Sequence, residues 1–89
     1  MKYSIVGMQF RNAEAVVKAL ADGEPVTLIR EPSNPFDTNA IQVWVDGKHV
    51  GYIPKKENHA LAVSMDKDGK DITGKFARKN DEWPAVEIG

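Results

Sequence analysis

The chain has 89 residues, a net charge of −1 and no cysteine. No Pro-, Gly- or Ser-rich stretch divides it, so we expect residues 1–89 to form a single domain. The near-neutral charge excludes the broad basic field that gives strong, sequence-independent binding to duplex nucleic acid. The lack of cysteine excludes thiol catalysis and cysteine-ligated zinc. Because neither a signal-peptide core nor an apolar run long enough to span a bilayer is present, we predict a cytoplasmic protein with no membrane association.

The N-terminal third carries strand and helix signals in turn. Residues 3–8 are predicted to form a strand. Asn12 is then a predicted N-cap for a short helix over residues 13–21, in which one apolar stripe recurs at helical spacing. Pro25–Arg30 contains adjacent β-branched and aliphatic residues and is predicted to be the second strand.

A β-hairpin is the clearest local prediction. Residues 40–45 alternate apolar and polar side chains, which is the period of a half-buried strand. Asp46 and Gly47 favour a two-residue type I′ turn, so residues 48–53 form the return strand. Such a loop predicts three cross-strand pairs: Val43 with Val50, Ile41 with Tyr52, and Trp44 with His49.

The C-terminal part is predicted to hold one helix and two weaker strands. Residues 58–65 fit a helix with Asn58 as its cap and Gly69 as its stop, and residues 72–76 and 85–88 are strand candidates. These elements predict a mainly β protein, a small OB-like or SH3-like barrel of five or six strands with two short helices. The same elements would also fit an open α+β sheet.

The loop that precedes the hairpin has a distinctive composition. Over residues 30–41, two prolines fix the backbone φ, and three side chains can hydrogen-bond their own backbone: Asn34, Asp37 and Asn39. This chemistry predicts a rigid, self-satisfied turn. Phe36 stands out because its ring either covers one end of the barrel or offers a stacking platform to a planar ligand.

Two motifs resemble the HIRAN domain family. They are REPSNPFDTNAI at residues 30–41 and VGYIP at residues 50–54, and the similarity extends to VGM at 6–8 and NHALA at 58–62. The resemblance implies a modified OB-like barrel with a binding role. In HIRAN domains attached to eukaryotic DNA-remodelling helicases it implies capture of a single-stranded DNA 3′ end, and hence a place in DNA repair.

The resemblance also implies a ligand loop with an aromatic ring and a carboxylate. These are Phe36 and Asp37 here, and Asn34 precedes them. The Asp37 carboxylate can accept a hydrogen bond from a terminal hydroxyl, whereas a 3′ phosphate would meet charge repulsion. The Phe36 ring, which lacks the hydroxyl of the family's tyrosine, would stack on the last base.

The chain departs from the family pattern after the first strand. An Arg-Tyr pair that helps hold nucleotide in those relatives is replaced by Gln9 and Phe10, with Arg11 one position later. We expect Phe10 to stack on a base, while Gln9 brings no charge to a phosphate.

Three further positions complete the predicted nucleic-acid site. Tyr52 stands where some relatives have histidine, and Lys55 matches a basic position of the family. Lys55 is expected to hold a phosphate, and Lys56 to add to it.

No cofactor or metal is predicted. His49 and His59 have no nearby cluster of further ligands, and the acidic residues around Gly69 lack the closing glutamate of a calcium loop.

A catalytic function is not predicted either, because no nucleophile elbow, phosphate loop or Gly-x-Gly fingerprint is present. The first hypothesis is therefore a non-catalytic module for single-stranded DNA or DNA ends. The alternative is a protein-protein interaction adaptor that uses a sheet edge or the face around Trp44.

Overall fold

The structure, a computed structural model, describes residues 1–79 and 82–89. Across these residues the chain forms six strands, two α-helices and one 3₁₀ turn. In chain order they are β1 (Lys2–Ser4), the 3₁₀ turn (Met8–Arg11), α1 (Glu14–Lys18), β2 (Pro25–Arg30), β3 (Ile41–Val45), β4 (Lys48–Tyr52), α2 (Lys55–Asp68), β5 (Ile72–Arg78) and β6 (Pro84–Glu87).

All six strands belong to one antiparallel sheet in the order β1-β6-β5-β2-β3-β4. The sheet curls into a half-barrel, and an isolated bridge between Val6 and Tyr52 joins the segment after β1 to β4 at the opposite end of the strand order. The predicted mainly β architecture is confirmed, and the curled sheet is consistent with an OB-like fold.

The core lies inside the curl of the sheet. In β3, buried and half-buried residues alternate, so Ile41, Val43 and Val45 point inward as the sequence pattern predicts. One face of α2 packs on the same core through Leu61 and Met65. No helix among the described residues is both long and apolar enough to cross a membrane.

The hairpin turn is confirmed, but its register is only partly as predicted. Asp46 and Gly47 both adopt positive φ, at 51° and 76°, as a type I′ turn requires. The pair Trp44 and His49 is found. The other two predicted pairs are wrong by one residue, because a β-bulge adds a residue to β4: Val43 lies opposite Gly51 rather than Val50, and Tyr52 lies opposite Gln42 rather than Ile41.

The predicted strand over residues 3–8 is too long. Its pairing with β6 ends at Ser4, Val6 makes an isolated bridge to Tyr52, and Gly7, with φ 81°, turns the chain into the 3₁₀ turn that follows. A left-handed φ is readily adopted by glycine and stops strand pairing at this point. The sequence pattern missed this because the apolar residues Ile5, Val6 and Met8 continue through the turn.

The predicted helix over residues 13–21 is present as α1 but is shorter. Asn12 does not cap it. Its φ of 52° closes the 3₁₀ turn instead, and Ala13 takes the N-cap position without a side-chain hydrogen bond. A left-handed asparagine is a common way to end a helical turn.

The C-terminal elements exist with different bounds. α2 begins at Lys55 rather than after Asn58, which is a fully buried residue inside the helix and not its cap. Gly69 ends the helix as predicted, and its N–H donates to the Met65 carbonyl at 2.8 Å. The two weaker strand candidates are confirmed as β5 and β6.

Candidate nucleic-acid interface

Two exposed aromatic rings flank one groove on the surface of the half-barrel. Phe10 from the 3₁₀ turn and Phe36 from the 31–40 loop have 83% and 87% of their surface exposed. The groove has a volume of about 660 Å³ and a largely apolar lining. It is lined by Val6, Phe10, Asn34, Pro35, Phe36, Asp37, Ala40, Tyr52, Ile53, Pro54 and Lys55.

The 3₁₀ turn holds Phe10 out in solvent. The N–H of Phe10 donates to the Gly7 carbonyl at 3.1 Å, and the carbonyl of the buried Met8 accepts from the Ala13 N–H at 3.0 Å. The turn is therefore anchored by Met8 on its inner side, while Phe10, two positions later, stays exposed.

Phe36 is presented by hydrogen bonds within its own loop. The side-chain oxygen of Asn34 accepts from the N–H groups of Phe36 and Asp37 at 2.9 and 3.1 Å. This is an Asx turn, as the sequence predicts. Because the ring is almost fully exposed, it does not cover the barrel end, and the stacking-platform interpretation fits the structure.

The Asp37 carboxylate is oriented from two sides. Its Oδ1 accepts from the Asn39 N–H at 2.9 Å, and its Oδ2 accepts from the Asn58 side-chain amide at 2.8 Å. A carboxylate oxygen has two acceptor directions, so each oxygen keeps one for a further donor. A half-buried acceptor with a fixed orientation is thus available beside the Phe36 ring.

Arg30 connects the 31–40 loop to α2 by hydrogen bonds. Its guanidinium bonds both carboxylate oxygens of Asp66, at 2.9 and 3.1 Å, and donates to the backbone carbonyls of Thr38 and Ala40 at 3.0 and 2.8 Å. The hydrogen bonds from Arg30 hold the pKa of Asp66 below its usual value. Such a planar, bidentate contact fixes both direction and distance.

Glu31 ties the loop to the hairpin. Its carboxylate accepts hydrogen bonds from the Gln42 amide, the Asn34 amide and the Tyr52 hydroxyl, the last at 3.0 Å. The Gln42 hydrogen bond is the main reason that the pKa of Glu31 is lowered, and burial together with Glu31 raises the pKa of Tyr52. One carboxylate therefore positions two residues of the groove, Asn34 and Tyr52.

The structure brings six of the nine predicted site residues to the groove. They are Phe10, Asn34, Phe36, Asp37, Tyr52 and Lys55. Gln9 is exposed but does not line the groove, and the Nε of Arg11 donates to the His49 carbonyl at 3.1 Å on the hairpin side. Lys56 lines a neighbouring depression instead.

That neighbouring depression adjoins the groove, because Val6 and Pro54 line both. It has a volume of about 260 Å³ and contains Lys56 and Trp83. Trp83 is 44% exposed, and its indole N–H donates to the Ile5 carbonyl at 3.1 Å. The sequence alone does not point to Trp83, since it lies far along the chain and no local pattern indicates which surface it joins.

The Trp44 side chain is in contact with other side chains of the same domain. The Trp44 ring stacks on His49 with centroids 5.5 Å apart, and its N–H donates to the Gln42 side-chain oxygen at 2.8 Å. Burial and the nearby Arg11 lower the pKa of His49. Along β4, one of the two edge strands of the sheet, Val6 pairs with Tyr52 and Arg11 bonds the His49 carbonyl, so a partner strand would find this edge occupied at both positions.

The part of the chain that the structure describes contains no group of three His, Cys, Asp or Glu side chains that could hold a metal ion.

Comparison with known proteins identifies the family. The model of the HIRAN domain matches residues 1–88. The chain belongs to the HIRAN domain family. The resemblance predicted from residues 30–41 and 50–54 is thereby confirmed.

Curated relatives of this HIRAN domain are much longer proteins. It is 48% identical over 54 residues to the helicase-like transcription factor of Oryctolagus cuniculus, covering 60% of this chain. It is 35% identical over 75 residues to that of Mus musculus, covering 83% of this chain. The aligned parts are only 5% and 7% of those two relatives, so the match concerns one module of a larger protein.

Two solved structures share the fold. A protein from Lactobacillus plantarum is 28% identical with a TM-score of 0.80, and the match covers 96% of this chain and 85% of that one. The HIRAN domain of human HLTF is 30% identical with a TM-score of 0.71, over 97% of this chain and 68% of that one.

Proposed function

We propose that this HIRAN domain is a non-catalytic module that binds single-stranded DNA at an exposed 3′ end. The observation that carries the proposal is the pair of exposed rings, Phe10 and Phe36, on one groove that also contains the oriented Asp37 carboxylate.

The rings account for base binding without sequence preference. Every base has a flat π-face, and stacking on an aromatic side chain contributes about 1–3 kcal/mol per base. Phe10 and Phe36 come from separate segments, the 3₁₀ turn and the 31–40 loop, so each wall of the groove supplies one platform.

Asp37 accounts for recognition of the strand end. A terminal 3′-hydroxyl donates a hydrogen bond to a carboxylate, and a 3′-phosphate in the same place meets like-charge repulsion. An internal nucleotide has no free 3′-hydroxyl, so this contact selects the end of a strand over its middle.

Lys55 supplies the phosphate contact. It is exposed at the first residue of α2 and lines the groove, whereas Gln9 is neutral and Arg11 is turned toward His49. Since Lys55 is the one cation among the described residues that line the groove, binding depends more on stacking and hydrogen bonding than on counterion release.

Protein-protein binding through a sheet edge or the Trp44 face stays a prediction without a supporting observation of its own. Its ring and the β4 edge are engaged inside the molecule.

The test compares two ligands that differ only at one end. A 5′-labelled oligothymidylate with a 3′-hydroxyl and the same oligonucleotide with a 3′-phosphate are titrated at two salt concentrations, with fluorescence anisotropy as the readout. We expect tighter binding of the hydroxyl end at both salt concentrations. Equal affinity for the two ends, or no binding of either, would overturn the proposed end recognition.

A further inference from the structure

Asn58 has a buried side-chain amide that is hydrogen-bonded through its nitrogen but not through its oxygen. It lies in α2, none of its surface is exposed, and its side-chain oxygen Oδ1 has no hydrogen-bond partner among the described residues. Its amide nitrogen donates to Asp37 Oδ2 at 2.8 Å.

Stability alone does not account for an asparagine at this position. A buried acceptor without a partner is destabilising, and asparagine is a poorer helix former than alanine or leucine. Asp37 is half-buried, and its Oδ1 keeps the hydrogen bond from the Asn39 N–H if Asn58 is absent. An apolar residue would therefore serve the fold at least as well.

The orientation of the amide is set by Asp37. If the side-chain amide were flipped, its oxygen would face Asp37 Oδ2, acceptor against acceptor, and the nitrogen would be left without the carboxylate partner. The observed arrangement leaves Oδ1 unpaired and keeps the N–H on the carboxylate. Among the described residues, the Asp37 contact is thus the one hydrogen bond that the buried side chain makes.

We infer that Asn58 is a positioning residue for the ligand end, acting through Asp37. The inference rests on the proposed function. Asn58 holds Oδ2 from the α2 side while the Asn39 N–H holds Oδ1 from the loop side. The plane of the carboxylate is then fixed before the ligand arrives, which lowers the entropy lost when a terminal hydroxyl binds.

The experiment measures end preference and stability in the same variants. End preference is the ratio of dissociation constants for the 3′-phosphate and 3′-hydroxyl oligothymidylates, and stability is the midpoint of thermal unfolding. The variants are Asn58→Ala, Asp37→Asn and the double variant, with Met65→Leu as a buried, volume-conserving control on the same helix. We expect Asn58→Ala to lower the ratio at least threefold while Tm is unchanged or higher.

The double variant separates positioning from general damage. If Asn58 acts through Asp37, adding Asn58→Ala to Asp37→Asn leaves the ratio as it is in Asp37→Asn alone, and Met65→Leu keeps the wild-type ratio. Independent effects in the double variant contradict the inference. So does a marked fall of Tm in Asn58→Ala, because it would show that the amide is there for packing.

The end preference of the wild-type protein is measured first. Equal affinity of the wild type for the two ends overturns the proposed function and this inference with it. A clear wild-type preference that Asn58→Ala leaves unchanged overturns the inference alone.

Discussion

Val6 and Tyr52 exchange two backbone hydrogen bonds of 2.8 Å each. This pairing joins the segment after β1 to β4, and it sets the 3₁₀ turn that carries Phe10 beside the hairpin that supports the 31–40 loop. The Val6 segment approaches β4 closely because residue 51 is a glycine and has no side chain. A Cβ on Gly51 would lie 2.5 Å from the Val6 carbonyl oxygen.

Gly51→Ala should therefore separate the two sides of the groove. We expect the free energy of unfolding to fall by about 1–3 kcal/mol, because backbone atoms must move to accept the methyl group. Urea denaturation measures the change. Ser64→Ala, on the exposed side of α2, is the control and should stay within about 0.5 kcal/mol of wild type. A Gly51→Ala protein as stable as wild type would contradict the prediction, because it would show that the Val6 backbone moves at no cost in free energy.

Phe36→Ala should weaken ligand binding without affecting folding. The ring is 87% exposed, so its removal leaves the core intact, while loss of one stacking platform costs about 1–3 kcal/mol of binding free energy. Titration of the 3′-hydroxyl oligothymidylate and thermal unfolding measure the two effects. Val63→Ala removes an exposed apolar side chain of α2 that lies outside the groove and should change neither. Equal losses in both variants would point to a general surface effect.

Local sequence patterns predicted most of the fold. The alternation in β3, the Asp46-Gly47 turn and the Gly69 helix stop are decided by neighbouring residues, and each is found in the structure. The β4 bulge was not predicted from neighbouring residues. It places Gly51 against Val6, and neither residue signals the other in the sequence.

The candidate site was predictable where the family motifs cover it. Asn34, Phe36, Asp37 and Lys55 lie in or next to those motifs and reach the groove together. Asn58 was predicted to be a helix cap because capping is its commonest role near a helix start. Its actual contact, with Asp37, spans 21 positions and requires the packing of α2 against the loop.

Lys55→Ala should reduce the salt dependence of binding. Each phosphate contact on a single strand contributes about 0.7 to the slope of log affinity against log salt concentration, so loss of one contact should flatten the slope by about that amount. Titrations of the 3′-hydroxyl oligothymidylate over a series of salt concentrations give the slope. Lys67→Ala, which removes the same charge from the last turn of α2, should leave the slope close to wild type. Equal slopes in the two variants would mean that Lys55 contacts no phosphate.

Glu31 makes stability depend on pH in a direction that can be worked out. Its hydrogen bonds, above all the one from Gln42, place its folded-state pKa below the ordinary value of 4.5. The stabilising contribution of Glu31 is therefore complete above that value and is lost as the pH falls through the lower folded-state pKa. Among the described residues, two other carboxyl groups also have a lowered pKa. Burial raises the pKa of Glu57, but the Ser4 N–H and Lys79 outweigh it, so the net pKa is lowered. Arg30 lowers the pKa of Asp66.

Glu31→Gln should isolate the Glu31 contribution. At neutral pH the variant should be less stable than wild type, because a neutral amide cannot accept three hydrogen bonds as a carboxylate does. The difference between the two proteins should shrink as the pH falls through the folded-state pKa of Glu31. Urea denaturation over a pH series measures it. Tyr52→Phe deletes one of the three donors and keeps the carboxylate, so its pH profile should lie between the other two. A Glu31→Gln profile that runs parallel to wild type would show that the Glu31 carboxylate does not link the loop to the hairpin in solution.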